Sequence, residues 1–194
     1  LLIQYDYILT AQDKFDEALH FLDSACSVNA CKQKCDVMRF KIYITQKELE
    51  KAEEYYNKAL NSGYKRTEDD DFYVAYLYNK TGRRKDALPI LNNSIKRDEN
   101  LLKGNLNSLW FKLIDLRLVT AYALLGDNKK ALYYLSELEK SGLYEWSFMI
   151  RTFPGFDNLR NDPKFNEIVK RIEDKRAVIR AQVKEMEKRG EINM

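Results

Sequence analysis

The feature that most constrains this chain is a spacing. A small residue followed at plus four and plus seven by core-type residues occurs as Ala18, Leu22, Ala25, as Ala52, Tyr56, Ala59, as Ala87, Leu91, Ser94, and as Ala131, Leu135, Leu138. Steps of four and three put each trio on one helical face. The small residues recur at steps of 34, 35 and 44, and a breaker precedes two of them, Thr81-Gly82 before Ala87 and Leu125-Gly126 before Ala131. Two helices per unit at a period near 34 predict an all-α solenoid of helical hairpins, in which each unit buries its apolar face on its neighbours.

Helices are expected over Ile3 to Thr10 and Phe15 to Cys26, then Asp36 to Thr45 and Glu48 to Leu60. A third unit runs from Asp71 to Arg97, and the nine extra residues around Asn100 to Ser108 are expected to lengthen the first helix of the fourth unit or to form a loop. Trp110 and Phe111 read as core between repeats. After Gly142 the register is lost: 143 to 162 reads as a short helix from Leu143 to Phe148 and a connecting turn at Thr152-Phe153-Pro154-Gly155. A long helix then starts at Pro163, with Asp162 as its N-cap and Gly190 as its stop. On it Phe165, Val169, Ile172, Ile179, Val183 and Met186 form an apolar seam, interrupted once at Arg176.

These residues resemble the tetratricopeptide repeat (TPR) family. Its late aromatic in the first helix is matched by Tyr43, Tyr78 and Tyr122, with Leu9 in the first unit; its early small residue in the second helix is matched by Ala18, Ala52, Ala87 and Ala131. The family's early tryptophan is replaced by Leu2, Asp36, Asp71 and Asp115, its closing proline is absent, and Asp13 and Lys47 stand where the first two units lack the turn glycine. The segment Phe156 to Phe165 resembles the one that terminates many bacterial TPR arrays attached to signalling or transcriptional domains.

The resemblance implies a right-handed α-solenoid of four degenerate hairpins over 1 to 142 (about 1 to 30, 34 to 63, 69 to 98 and 107 to 142), and a capping or coiled-coil helix over 163 to 194. It also implies a concave face built by the first helices, which places Ile3, Tyr7, Val37, Lys41, Ile44, Phe72, Tyr76, Asn79, Leu116 and Thr120 on the binding side. The family members that hold a chaperone tail use a lysine and an asparagine four apart in the first unit; Ile3 and Tyr7 stand there, so that ligand is not expected. The function implied is a non-enzymatic protein-interaction scaffold for a peptide or helix. The alternative is a regulatory or sensory domain of a larger bacterial signalling or transcriptional protein, and a third reading is a helical-repeat RNA binder. Ile179, Val183 and Met186 are the expected contacts for a partner or a second copy, which would make a homodimer.

Chemistry is sparse. No phosphate-cradling glycine pattern occurs among the seven glycines, and the one histidine, His20, lies on an ordinary amphipathic helix, so neither nucleotide binding nor catalysis is expected. His20 with Cys26, Cys31 and Cys35 lacks the paired spacing of a structural zinc site, and Glu68-Asp69-Asp70-Asp71 lacks the alternation of a calcium loop. No cofactor is expected. The acidic run reads as charge placed at a helix N-terminus, and the odd cysteine count as reduced thiols, with Cys31–Cys35 the disulfide considered.

With 33 basic and 30 acidic residues the net charge is +3, too small to argue for a nucleic-acid partner. No run reaches the length of a membrane helix, so no membrane insertion is expected. The chain opens at Leu1, inside the first helix of its unit and without a starting Met, which reads as a fragment. Its compartment is therefore left open between cytoplasm, which reduced thiols would favour, and cell envelope or periplasm.

Overall fold

The structure, a computed structural model, describes residues 8–26, 32–103, 113–142 and 148–192. Its elements are helical residues 8–11, α1 (Phe15–Ala25), α2 (Lys32–Thr45), α3 (Leu49–Asn61), α4 (Asp71–Lys80), α5 (Arg84–Lys103), α6 (Leu113–Leu125), α7 (Asn128–Ser141), α8 (Phe148–Thr152) and α9 (Pro163–Lys188). Among the described residues there is no strand, and no helix is long and apolar enough to cross a membrane. The positions of Ile3, Tyr7, Trp110, Phe111 and residues 143–147 lie outside the described residues.

One turn geometry repeats four times. Asp13, Lys47, Gly82 and Gly126 all have positive φ, between 60° and 85°. The next residue then donates its backbone N–H to the carbonyl five positions back: Lys14 to Leu9, Glu48 to Tyr43, Arg83 to Tyr78 and Asp127 to Tyr122, at 2.7 to 2.9 Å. This bond closes the end of each first helix by satisfying an orphan carbonyl, and it turns the chain into the second helix. The four alanines of the repeat, Ala18, Ala52, Ala87 and Ala131, are each 0% exposed. A methyl group there lets the two axes of a hairpin approach; a larger side chain would cost about 1 to 3 kcal/mol.

Within each hairpin the helices pack as pairs, α2 on α3, α4 on α5 and α6 on α7, while the first helices α2, α4 and α6 pack side by side. The result is an all-α solenoid of TPR-like hairpins. Its far end is covered by the first half of α9, where Phe165, Ile168 and Ile172 are buried against α7. Asp162 sets that helix in place: its carboxylate accepts from the N–H groups of Lys164 (2.8 Å) and Phe165 (3.2 Å), with Pro163 opening the helix. Ile168 carries more of the buried face than Val169, which is partly buried, because the helix packs as a broad stripe rather than a narrow seam.

Three expectations are corrected. The helix expected from Asp36 begins at Lys32. The start of the insertion after the third unit does not lengthen the first helix of the fourth: Asn100 to Lys103 belong to α5, the second helix of the third unit, while 104–108 lie outside the described residues. Polar contacts to the fourth hairpin anchor this extension. Glu99 accepts from the Tyr122 hydroxyl at 2.6 Å and the Tyr134 hydroxyl at 3.3 Å, while Asp98 pairs with Arg97 and Arg117 at 3.0 Å each. Finally, the thiols of Cys26 and Cys35 are joined in a disulfide, not free. Cys26 caps the end of α1 and Cys35 sits in the first turn of α2, which brings their Cα atoms to 6.3 Å, within bridging reach. Cys31 lies outside the described residues. The argument for a reducing compartment loses its premise with this bond.

Candidate functional site

The inner face of the array is not bare. After α8 the chain folds back along it as a return segment through the 3-10 turn Pro154–Phe156 to Asp162. Arg160 holds the segment together, donating to the carbonyls of Arg151 (2.7 Å) and Phe153 (3.2 Å) and pairing with Asp157 (3.0 Å). Side chains of α8 and of the segment then reach separate hairpins near their inter-helix turns. Arg151 pairs with Asp13 at 2.8 Å, Asp157 with Lys47 at 2.6 Å, and the Asn158 amide donates to the Ala123 carbonyl at 3.1 Å. Among the described residues Asp13 and Lys47 are the two non-glycine residues that hold positive φ, a conformation unfavourable for them. Lys47 holds the return segment through Asp157, and Asp13 holds α8 through Arg151.

Phe153 and Phe156 fill the inner face. The Phe153 ring lies edge-on to Tyr73 at 5.1 Å and tilted against Tyr76 at 5.7 Å. Phe153 thus covers Tyr76, one of the residues expected on the concave side. Ile44, Phe72, Tyr76, Leu116 and Thr120 are buried, the Thr120 hydroxyl donating to the Leu116 carbonyl at 2.7 Å. Asn79 donates to the Leu124 carbonyl at 3.1 Å. Burial pushes the Tyr76 phenol up to about 12, with the nearby Asp157 carboxylate adding to it. Ile3 and Tyr7 lie outside the described residues. On α9, Ile179 is 47% exposed and Val183 and Met186 are half-buried.

Of the eight that are described, Val37, itself buried, and Lys41 line a cavity. They border a cavity of about 280 Å³ between α2 and α8, whose walls also include Met38, Tyr73, Met149 and Phe153. Its polar side is fixed by Asp70, which is fully buried. The Asp70 carboxylate takes hydrogen bonds from the Tyr64 hydroxyl (2.7 Å) and from the Thr67 backbone N–H (2.8 Å) and hydroxyl (3.0 Å), and it pairs with the Lys41 ammonium at 2.7 Å. Burial alone would raise its pKa; the Lys41 charge and these donors outweigh that and hold it below the usual carboxylate range. Tyr64 is pushed up to about 12, by burial first and by its bond to Asp70 second. Lys41 is thereby pinned over the cavity, its ammonium 5.3 Å from the centre of the Tyr73 ring.

The acidic run is therefore more than charge at a helix start. Asp70 caps the 3-10 turn with Thr67, Asp71 pairs with Arg66 at 3.1 Å, and Glu68 pairs with Arg97 (3.0 Å) and Arg117 (3.1 Å). Sequence reasoning did not place Tyr64, Asp70, Phe148 or Phe153 at a site: Asp70 was read only as part of an acidic run, and Phe148 and Phe153 only as the end of a short helix and part of a turn. The only signal for them was indirect: a capping pattern at Thr67-x-x-Asp70 and a Pro-Gly breaker beside Phe153. Among the described residues no group of three or more histidine, cysteine, aspartate or glutamate side chains could hold a metal ion.

Hairpins in one register, first helices side by side and a helix capping the end define an all-α array of helical hairpins. Among solved structures the chain is similar to that of YrrB, a TPR protein with an unusual peptide-binding site, at 17% identity over 90% of this chain and 84% of that one, with a TM-score of 0.43. No family model and no curated protein matches the sequence.

Proposed function

We propose that this chain is a non-enzymatic protein-interaction scaffold that takes a short peptide at the cavity between α2 and α8. The observation that supports the reading is the composition of that cavity. Val37, Met38 and Phe153 form an apolar floor, and Lys34, Lys41 and Thr67 form a polar rim. At about 280 Å³ it falls just under the size of a small-molecule site, so it suits one apolar side chain of a peptide whose backbone lies outside. The rim supplies donors for that backbone, and the buried Asp70 keeps Lys41 oriented.

The test is selection of peptides from a phage-displayed random decapeptide library, followed by affinity measurements on the synthetic consensus peptide. Met149→Trp fills the cavity from a half-buried position, and Lys34→Glu reverses charge on the exposed rim. Each is expected to weaken binding by at least about tenfold while the melting curve stays close to the parent's. Parent-like affinity in both folded variants refutes the site.

A further inference from the structure

We propose that the peptide bound by this protein is acidic, with its carboxylates held by Arg176 and Arg180 on α9. This rests on the peptide reading of the α2–α8 cavity and names the chemistry of its ligand. A second cavity, of about 770 Å³, opens where the middle of α9 faces the first hairpin. Ile8, Ala11 and Gln12 form one wall, and Arg151, Arg176 and Arg180 stand on the other with Glu173. Phe148 lines both cavities, so the two are separated by the width of one side chain. An extended peptide advances about 3.3 Å per residue, so a few residues would join them.

The charges in the second cavity are unbalanced. Three guanidinium groups face one carboxylate there. Arg151 is already held, by Asp13 at 2.8 Å and by the Ala11 carbonyl at 2.5 Å. Among the described residues neither Arg176 nor Arg180 has an ion-pair partner. Arg171, earlier on the same helix, shows the contrast: it makes two bonds to Glu139, at 2.9 and 2.8 Å, and one to Glu167 at 2.5 Å. Arg176 and Arg180 are four residues apart on one helical face, an arrangement of like charges that opposes helix stability. Arg176 is also half-buried, and burial, with Arg180 and Arg151 nearby, pulls its pKa down.

An uncompensated guanidinium in such a place is a standing cost, which an incoming carboxylate would relieve through paired N–H donors. The same feature accounts for the break in the apolar seam: Arg176 falls on a cavity wall, not between packed helices. Two points favour a peptide over a small ion. The space far exceeds what one ion fills, and Ile8, 52% exposed, and Phe148 put apolar surface beside the charges. An acidic residue flanked by an apolar one matches that pairing.

The test repeats the decapeptide selection with the parent and with an Arg176→Gln/Arg180→Gln variant. Peptides selected by the parent are expected to be enriched in Asp and Glu beside an apolar residue. The consensus peptide is expected to bind the variant at least about tenfold more weakly, and to bind the parent more weakly as salt rises. Selected peptides without acidic enrichment, or equal affinity for parent and variant, overturn this inference while leaving the cavity reading standing. Failure of the parent to select any peptide overturns both. Tighter binding of an oligothymidylate than of the acidic peptide, lost in the variant, would assign the arginines to a nucleic acid and overturn it too.

Discussion

The two halves of α9 make an instructive pair, being one helix with one kind of apolar spacing and opposite fates. In the first half Phe165, Ile168 and Ile172 are buried on α7, and Glu139 of α7 pairs with both Arg171 and Lys175. In the second half Val178 and Ile179 lie open to solvent, 57% and 47% exposed. What separates them is delivery. The Asp162-Pro163 start places the first two turns or so directly on the last hairpin, and the helix then runs on beyond α7 to face the first hairpin across the arginine-lined cavity. A periodic apolar pattern therefore reports that a helix has a face, and the packing geometry decides how much of that face is used.

The largest expected effect tests the buried half. Phe165→Asp with Ile172→Asp puts two carboxylates into a packed apolar contact, at a cost of about 5 kcal/mol or more, comparable to the whole stability of a domain. The terminal hairpin is expected to unfold, read as loss of helical circular dichroism and of a cooperative melt. A folded, stable variant would erase the distinction between the halves.

A smaller effect is expected at the ion pairs beside that contact. Glu139→Gln weakens the tie from α7 to Arg171 and Lys175 and should cost at most about 1 kcal/mol at neutral pH. The Arg171 hydrogen bond, with Lys175 behind it, lowers the Glu139 pKa from 4.5 to about 2. Because the folded value is the depressed one, the stabilisation is present above pH 4.5 and is lost as pH falls toward 2. Parent and variant should thus converge in urea titrations at low pH. A gap that persists unchanged would assign the effect to packing instead.

The smallest effect belongs to the exposed half. Val178→Asp with Ile179→Asp should change stability by about 0.5 kcal/mol or less, since neither side chain is covered. A large drop in melting temperature in a concentration-dependent melt would show that a second copy covers this face in solution.

How much of this was readable from the chain depended on periodicity. The four alanines, the Tyr43, Tyr78 and Tyr122 positions and the Asp162-Pro163 start all come from short-range rules, since a turn, a cap and a close helix crossing each demand particular residue types at fixed offsets. Val37 and Lys41, which border the cavity, were named only through the resemblance to the tetratricopeptide family, as residues of its concave face. The other cavity residues were not, because Tyr64, Asp70, Phe148 and Phe153 come from turns, chain ends and the return segment, where no period exists to read.

By itself, then, the sequence determined that this protein is an array of helical hairpins followed by a long helix with an apolar face, because repeated spacing leaves helices little else to pack against than their own neighbours; it left open whether that last helix caps the array or pairs with another. Tertiary structure alone decided what occupies the inner face. Phe153 and Phe156 gain more by burial among Tyr73, Tyr76 and Leu124 than in water, and the turn residues Asp13 and Lys47 supply opposite charges to hold the segment that carries them. Those partners lie about 110 and 138 residues apart in the chain, a distance across which local pattern carries no information and only the closed array brings them together.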